Sequence, residues 1–172
     1  MSLYTPKTNT FRNFSAADGL ASNKVMAIHE DRKDHIYFGH WSNGVSRLNV
    51  QTGVWESFGG REGLDLSEVV CMVEDRQGNM WLGGRRPGHL YRYDGTRFET
   101  YDLGAPASDN YRILSLLEDQ SGMLWAGLVV AEGGDRGGVL QINPHEASDS
   151  TGFALTRYRM DDGLADNEVW SL

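Results

Sequence analysis

The chain has 172 residues, of which 40% are hydrophobic, and a formal net charge of −8 with a pI near 5.0. This length suggests one domain with enough apolar residues for a core. The acidic charge argues against a nucleic-acid-binding surface, which requires a basic stripe. No apolar run is long enough to span a membrane, and the first residues lack the basic and apolar regions of a secretory signal.

One sequence unit recurs with a spacing of 44 residues. In each copy an Asp is followed six positions later by a large aromatic residue and eight positions later by Gly. A fixed period of this length predicts an array of one repeated structural unit. We interpret these residues as structural positions of the repeat: Asp31, Asp75, Asp119, Tyr37, Trp81 and Trp125.

Each unit opens with an aromatic residue and then a Gly-Leu pair. Because Gly adopts positive φ without strain, an acidic residue followed by Gly predicts a tight turn. We expect the Leu to anchor this turn in the core. The three pairs are Gly19-Leu20, Gly63-Leu64 and Gly163-Leu164.

An apolar segment after each turn is predicted to be the first strand of the unit. Its copies are residues 25–28, 69–72, 113–116 and 169–172. Consecutive apolar residues predict a strand that is buried on both faces. The third residue is always small, which fits a crowded position where neighbouring sheets converge. Cys71 occupies this position, so we expect a packed thiol, and a single cysteine forms no internal disulfide.

A hairpin turn and three more strands complete the unit. The turn has the pattern Asp-x-x-Gly, with Asp34 in place of Gly in the first copy, and its last residue is expected to take positive φ. Four short antiparallel strands in a repeat of this length indicate a β-propeller blade. We therefore predict an all-β partial propeller with almost no helix. A β-sandwich and a β-solenoid are the alternative folds.

Three complete blades are predicted within a single domain of residues 1–172. The blade units cover about 15–58, 59–101 and 102–158, and partial units cover 1–14 and 159–172. The first partial unit matches the outermost strand of a preceding blade, and the last matches the innermost strand of a following blade. Uncovered blade faces and strand edges pair with other chains. We therefore expect self-association, as a homodimer or a higher oligomer, to complete the propeller.

The repeat resembles the two-component regulator propeller repeat over nearly the whole chain. The second copy carries most of the pattern, in Glu62-Gly63-Leu64, Val69, Glu74-Asp75, Gly78, Trp81, Gly83 and Tyr93-Asp94. The resemblance implies the non-enzymatic sensory propeller of a bacterial two-component-type regulator. Such propellers lie outside the cytoplasm, here the periplasm, and sense a ligand that is frequently a carbohydrate fragment.

Loops that vary on a constant scaffold usually carry binding. Antiparallel order places the loop after strand two at the same edge as the loop before strand one. The candidate ligand-binding residues at this edge are His40, Trp41, Asn43, Arg85, Arg86, His89, Tyr111, Glu132, Asp135 and Arg136. Aromatic, amide and guanidinium groups together suit a polar ligand such as an acidic oligosaccharide. The alternative is that these are ordinary solvated loop residues.

We predict no catalytic residue, metal or cofactor. The five histidines show no ligand spacing, and the Asp turns lack the full oxygen set of a calcium loop. His40 and His89 lie in corresponding loops of neighbouring blades and are of a type that transfers protons. This leaves a propeller enzyme similar to streptogramin lyases as one alternative function. A scaffold for protein interactions is the other.

Overall fold

The computed structural model describes residues 1–65, 68–85, 88–103, 111–130, 137–145 and 153–172. Within these ranges the ordered elements are β-strands and three short 3-10 turns, Ala16–Asp18, Gly60–Glu62 and Met160–Asp162. The expectation of an all-β chain with almost no helix is confirmed. No helical segment in the described ranges has the length and apolarity that crossing a bilayer requires.

The described strands form one two-stranded and three four-stranded antiparallel sheets. The chain begins with a hairpin of β1 (Ser2–Thr5) and β2 (Thr10–Asn13). Blade 1 contains β3 (Val25–Glu30), β4 (His35–His40), β5 (Val45–Asn49) and β6 (Trp55–Phe58). Blade 2 contains β7 (Val69–Glu74), β8 (Met80–Gly84), β9 (Leu90–Tyr93) and β10 (Phe98–Tyr101). Blade 3 contains β11 (Tyr111–Glu118), β12 (Leu124–Val130), β13 (Gly138–Asn143) and β14 (Ala154–Tyr158).

Within each blade the strands lie side by side in chain order. Short turns join neighbouring strands, so every four-stranded sheet is a meander. This is the arrangement of a propeller blade, and the predicted fold class is confirmed. The hairpin of β1 and β2 corresponds to the two outer strands of a preceding blade, because β2 leads into the same type of 3-10 turn as β6.

The Gly-Leu turns have the predicted backbone conformation. Gly19, Gly63 and Gly163 follow the three 3-10 turns with φ of +120°, +88° and +107°. In the hairpin turns, Asp34 takes φ +61° where the other copies have Gly78 and Gly122 at +86° and +88°. An acidic side chain tolerates this region better than most, which explains why Asp replaces Gly there.

One blade approaches the next where the glycine of strand two meets strand one of the following blade. A Cβ added to Gly39 would lie 2.8 Å from the carbonyl oxygen of Val69, and one on Gly83 would lie 2.5 Å from Cγ2 of Ile113. Gly127 stands in the same relation to the Val169 carbonyl oxygen, at 2.8 Å. A larger residue would push the blades apart. The glycine that follows the aromatic residue in every repeat is therefore required by blade packing.

Cys71 lies at this crowded position. Its Sγ donates to the carbonyl oxygen of Ile113 at 3.4 Å, and a Cβ on Gly83 would lie 2.8 Å from the same sulfur. Burial raises the pKa of the Cys71 thiol to about 12. The thiol is therefore protonated and unreactive at neutral pH, as its small-residue position predicted.

In the second and third repeats the Asp fastens the hairpin turn to the aromatic residue. Asp75 accepts the backbone N–H of Asn79 at 2.8 Å on one oxygen and the indole N–H of Trp81 at 2.7 Å on the other. Trp125 donates to Asp119 in the same way at 2.8 Å. A buried indole N–H needs such an acceptor, and the carboxylate provides it from the turn of the same blade.

The core lies between blades. We call the face of a blade toward the preceding repeat its front face and the opposite side its back face. One apolar cluster joins the back face of blade 1 to the front face of blade 2, through Tyr37, Val45, Leu64, Val69, Met80, Leu82, Tyr91 and Tyr93. A second joins blades 2 and 3, and includes Trp81, Leu90, Ile113, Leu124, Leu128, Leu140 and Ile142.

The prediction that strand one is buried on both faces is wrong at the two ends of the array. Met26 and Ile28 in β3 are 44% and 58% exposed, and Leu117 in β11 is also exposed. Within the described residues, no four-stranded sheet packs on the front of β3 or on the back of β11, whereas β7 has a blade on each side. Strand one of blade 2 has no exposed residue.

The trailing segment is not a strand, although its sequence repeats that of strand one. Residues 165–172 have no strand assignment. The segment still lies in the expected place, because Val169 donates its backbone N–H to Leu128 at 3.4 Å and Gly138 donates to Asn167 at 2.6 Å. No second strand is present within the described ranges to pair with it, and pairing is what makes a strand.

Replacing Trp81 with Ala should lower the free energy of unfolding by about 3–5 kcal/mol, because the side chain is fully buried and holds the Asp75 turn. Urea denaturation followed by circular dichroism measures this change. Trp170→Ala is the control, since Trp170 is exposed; it should shift the value by at most about 0.5 kcal/mol. Equal losses in both variants would contradict the packing described here.

Acid should weaken the third hairpin turn. Hydrogen bonds from the Ser121 hydroxyl and the Trp125 indole lower the pKa of Asp119 well below its ordinary value. A carboxylate with a lowered folded-state pKa stabilises the fold above its unfolded pKa, and this contribution is lost as pH falls below about 4. The stability gap between the wild type and Asp119→Asn should therefore narrow steadily as pH falls from 5 to 2. Urea unfolding across this range tests it, and Asp65→Asn controls for the loss of one charge.

Candidate ligand-binding rim

The loops after strand two and before strand one meet at one edge, which we call the rim. In blade 1 the backbone N–H of Trp41 donates to Lys24 at 2.9 Å, and in blade 2 that of Arg85 donates to Glu68 at 3.3 Å. The same contact therefore closes the inner strand pair of both blades. The rim consists of residues 20–24, 41–44, 68, 85, 88 and 89.

Trp41 and Arg85 come together across the boundary between blades 1 and 2. The guanidinium carbon of Arg85 lies 4.7 Å from the centre of the Trp41 ring, a cation–π geometry. The Arg85 Nε lies 3.9 Å from a carboxylate oxygen of Glu68, a long ion pair. Within the described part of the chain, this buried Nε has no hydrogen-bond partner.

Two asparagines, Asn23 and Asn43, hold the loop before β3 in place at the rim. Asn43 takes φ +73° and donates its side-chain amide to the Ala21 carbonyl at 3.0 Å. Asn23 accepts the backbone N–H of Ala16 at 2.8 Å, and Asn167 repeats this contact with Met160 in the last turn. Asn23 and Asn167 therefore act in the fold by holding the turn that precedes strand one. Asn43 is exposed on the rim.

His40 does not lie on the surface of the rim. Its side chain is fully buried, and Nε2 lies 2.8 Å from the Ser46 hydroxyl. The same hydroxyl accepts the backbone N–H of Ala21 at 2.7 Å and so links His40 to the loop before β3. Burial lowers the pKa of His40, which keeps the ring neutral. The described contacts make His40 a support of the loop beneath Trp41.

Tyr111 is also buried. Its hydroxyl accepts from the Arg157 guanidinium at 2.7 Å, and it packs in the core between blades 2 and 3. His89 is partly exposed, with its ring 6.4 Å from that of Tyr91. Of the predicted site residues, those with accessible side chains on the described rim are Trp41, Asn43, Arg85 and His89. Arg86, Glu132, Asp135 and Arg136 lie outside the described residues.

A cavity of about 200 Å³ lies between blades 1 and 2 near the hairpin turns. Tyr37, which stands in place of the tryptophan of the other repeats, is one of its lining residues. Asp31 binds His35 at 2.9 Å instead of an indole, and the Tyr37 hydroxyl accepts from Arg47 at 3.3 Å. Lys33 also lines it. Arg47 and Lys33 are not among the site residues predicted from the sequence. The replacement of Trp by Tyr in the first repeat is the feature of the sequence that could have indicated this cavity.

The site contains no metal-binding cluster within the described residues, since no three His, Cys, Asp or Glu side chains converge there. The described part of the rim offers the Trp41 ring, the Asn43 amide and the Arg85 guanidinium. Such groups bind by stacking and hydrogen bonding.

Residues 63–86 match the family model described as two component regulator propeller. This segment runs from the Gly-Leu turn of blade 2 through Trp81 to Arg86, so the resemblance read from the repeat is confirmed. Blade 2 carries the part of the chain that is similar to this repeat. No curated protein matches the chain at a significant level.

Several solved structures share the fold. One is the extracellular domain of the "putative one component system BT4673" from B. thetaiotaomicron, with a TM-score of 0.72 and 21% identity, covering 99% of this chain and 22% of that one. Another is the extracellular domain of the "putative hybrid two component system BT3049" from the same organism, with a TM-score of 0.67 and 17% identity, covering 98% and 20%. Virginiamycin B lyase from Staphylococcus aureus has a TM-score of 0.65 and 13% identity, covering 91% and 48%.

These similarities identify a β-propeller of the kind found in the extracellular domains of two-component systems. At such identities they show the fold alone. The chain spans about a fifth of the length of the first two structures.

Replacing Ser46 with Ala should lower the free energy of unfolding by about 1–3 kcal/mol, because it leaves the Ala21 N–H and His40 Nε2 unpaired in a buried site. Ser57→Ala is a matched control. Ser57 lies opposite Ser46 on β6 and is exposed. Guanidinium denaturation of both variants measures the difference. Equal stability of the two would show that the buried hydrogen-bond chain does not support the rim.

Proposed function

We propose that this chain is a non-enzymatic, ligand-binding part of the sensory propeller of a two-component-type signalling system, and that it binds a polar ligand at the rim. The match of residues 63–86 to the regulator propeller repeat supports the signalling role. The extracellular sensor-type domains that share the fold support the same role.

The pair of Trp41 and Arg85 is the observation that carries the binding proposal. Both side chains are partly exposed and come from corresponding positions of adjacent blades. In blade 3 the corresponding residue is Val129, which is buried within β12. At this position blade 1 has an aromatic residue and blade 2 has a cationic residue, both on the rim. Blade 3 has an apolar residue there, and it is buried.

The chemistry of this pair favours a ligand with a flat apolar face and an acidic or hydroxyl group. The indole offers a stacking surface, and the Arg85 Nε has no hydrogen-bond partner among the described residues, beside a long ion pair to Glu68. Arginine presents several donors in a fork that matches a carboxylate. A sugar or an oligosaccharide with a uronic acid has both features.

Calorimetric titration with neutral and uronate-containing oligosaccharides tests the proposal. We expect saturable binding, weakened about tenfold or more by Trp41→Ala and by Arg85→Ala, since each removes one direct contact worth about 1.4 kcal/mol or more. Trp170→Ala removes an exposed tryptophan elsewhere and should bind as the wild type does. Binding that survives both rim substitutions would refute this site.

A scaffold role would instead appear as capture of a protein partner with no small-molecule binding. The lyase alternative rests on the shared fold with virginiamycin B lyase. It would require turnover that is lost on replacing His40 or His89. The burial of His40 and its bond to Ser46 disfavour that pair as proton-transfer groups.

A further inference from the structure

The cavity of about 200 Å³ between blades 1 and 2 lies at the hairpin turns, at the opposite ends of the strands from the rim. We call it the turn cavity. Its lining includes the polar side chains of Lys33, Tyr37 and Arg47 and the apolar surfaces of Met80 and Tyr93. Both blades that form it are part of the described structure, so its walls belong to one interface within the array.

The Tyr37 hydroxyl is a hydrogen-bond donor that the fold does not use. Its oxygen accepts from Arg47 at 3.3 Å, but its own proton has no acceptor among the described residues. Burial raises the pKa of Tyr37 to about 12, so the hydroxyl keeps this proton at neutral pH. A phenolic O–H can donate one hydrogen bond. The turn cavity therefore contains a donor that is available to a ligand.

Arg47 is held rigidly beside this hydroxyl. Its Nε and one Nη donate to Glu56 at 3.0 and 2.6 Å, and the other Nη donates to Tyr37. Its guanidinium carbon lies 5.2 Å from the centre of the Phe58 ring and 5.8 Å from those of Tyr37 and Tyr93. A guanidinium has five N–H donors, so two of them have no acceptor within the described part of the chain.

The lining of the turn cavity is positive in a chain whose net charge is −8. Lys33 and Arg47 carry two positive charges and Asp31 one negative charge, which leaves +1 with His35 neutral. The Asp31 carboxylate already accepts the backbone N–H groups of Lys33 and His35, both at 2.8 Å, and contacts the His35 ring at 2.9 Å. Lys33 is exposed and makes no ion pair with a described residue. Its ammonium is therefore available to an anion.

The next interface of the array uses the same positions differently. Between blades 2 and 3, the fully buried Trp81 donates its indole N–H to Asp75 at 2.7 Å. The Phe153 ring packs on Trp81 at 5.6 Å, and Gln77 takes the place of Lys33 in the hairpin turn. This interface uses its one aromatic donor internally and has no lysine at the turn. The unused donors are therefore a property of the first interface and are not required by the repeat.

We propose that the turn cavity binds a small monocarboxylate. The carboxylate accepts from the Tyr37 hydroxyl and the Arg47 guanidinium, and the Lys33 ammonium adds charge at the opening. The short apolar body of the ligand packs against Met80 and Tyr93. A volume of about 200 Å³ is below the usual range of sites for larger ligands. It admits a molecule of a few carbons and excludes an oligosaccharide.

Titration with sodium butyrate at constant ionic strength, followed by amide NMR, tests the proposal. We expect saturable shifts of the Lys33, His35 and Gly95 amides at the turn cavity. Butyramide has the same shape without the charge and should bind about tenfold more weakly or worse, because hydrogen bonds to a charged group are the stronger ones. Inorganic phosphate lacks the apolar body and should also bind more weakly. Equal binding of butyramide or of phosphate would overturn the proposal.

Two substitutions test the named donors. Tyr37→Phe keeps the ring and should weaken butyrate binding about tenfold or more. Lys33→Gln should weaken it about two- to fivefold, as expected for an exposed ion pair. Tyr4→Phe and Lys7→Gln are the matched controls, since both residues are exposed on the hairpin of β1 and β2; both variants should bind as the wild type does. Wild-type affinity in Tyr37→Phe would contradict the assignment.

Tyr37→Trp gives an independent test, because it introduces the residue of the other repeats. The indole can donate to Asp31 as Trp81 does to Asp75, so thermal unfolding should show no loss of stability. The larger ring should occupy the turn cavity and abolish the butyrate shifts. Butyrate binding that persists in this folded variant would overturn the proposal, as would shifts confined to the rim amides of residues 41–44 and 85. Neither result bears on oligosaccharide binding at the rim, which lies at the other ends of the strands.

Discussion

The close approach of one blade to the next at a glycine is the constraint on which the structure depends. At Gly39 and Gly83 no side chain fits between the strand and its neighbour in the following blade. Two consecutive inner strands can therefore lie nearly in contact, and the large aromatic residue two positions earlier packs into the space beside them. Trp81 occupies that space fully buried. The Asp of the hairpin turn fixes its ring by accepting the indole N–H.

This constraint separates a constant interior from a variable rim. The positions of Asp, of the large aromatic residue and of Gly recur in every copy because each interface repeats the same geometry. The residue four positions after the aromatic residue is not set by this interface, so it varies among Trp41, Arg85 and Val129. That freedom allows two blades to present an aromatic ring and a guanidinium side by side. The proposed ligand site follows from this contact between neighbouring repeats.

The exposure of an inner strand depends on whether a described blade packs on each of its faces. An inner strand such as β7 is covered on both sides, whereas β3 and β11 each keep one exposed face. The segment 165–172 holds the right place without becoming a strand. The same physical rule thus explains both the burial of β7 and the exposed residues of β3 and β11.

The blade architecture could be predicted from the sequence alone, because the 44-residue period places turn, strand and aromatic residues in register. Trp41 and Arg85 could be assigned to one edge for the same reason. The burial of His40 and Tyr111 could not be predicted from the sequence, because it depends on which neighbouring segments cover each side chain. For His40 the nearest such contact is the Ser46 hydroxyl on β5, which also binds the Ala21 backbone. The sequence by itself determined which residues repeat. Only the tertiary structure decided which side chains are buried, because burial arises from contacts between blades. A local sequence pattern carries no information about those contacts.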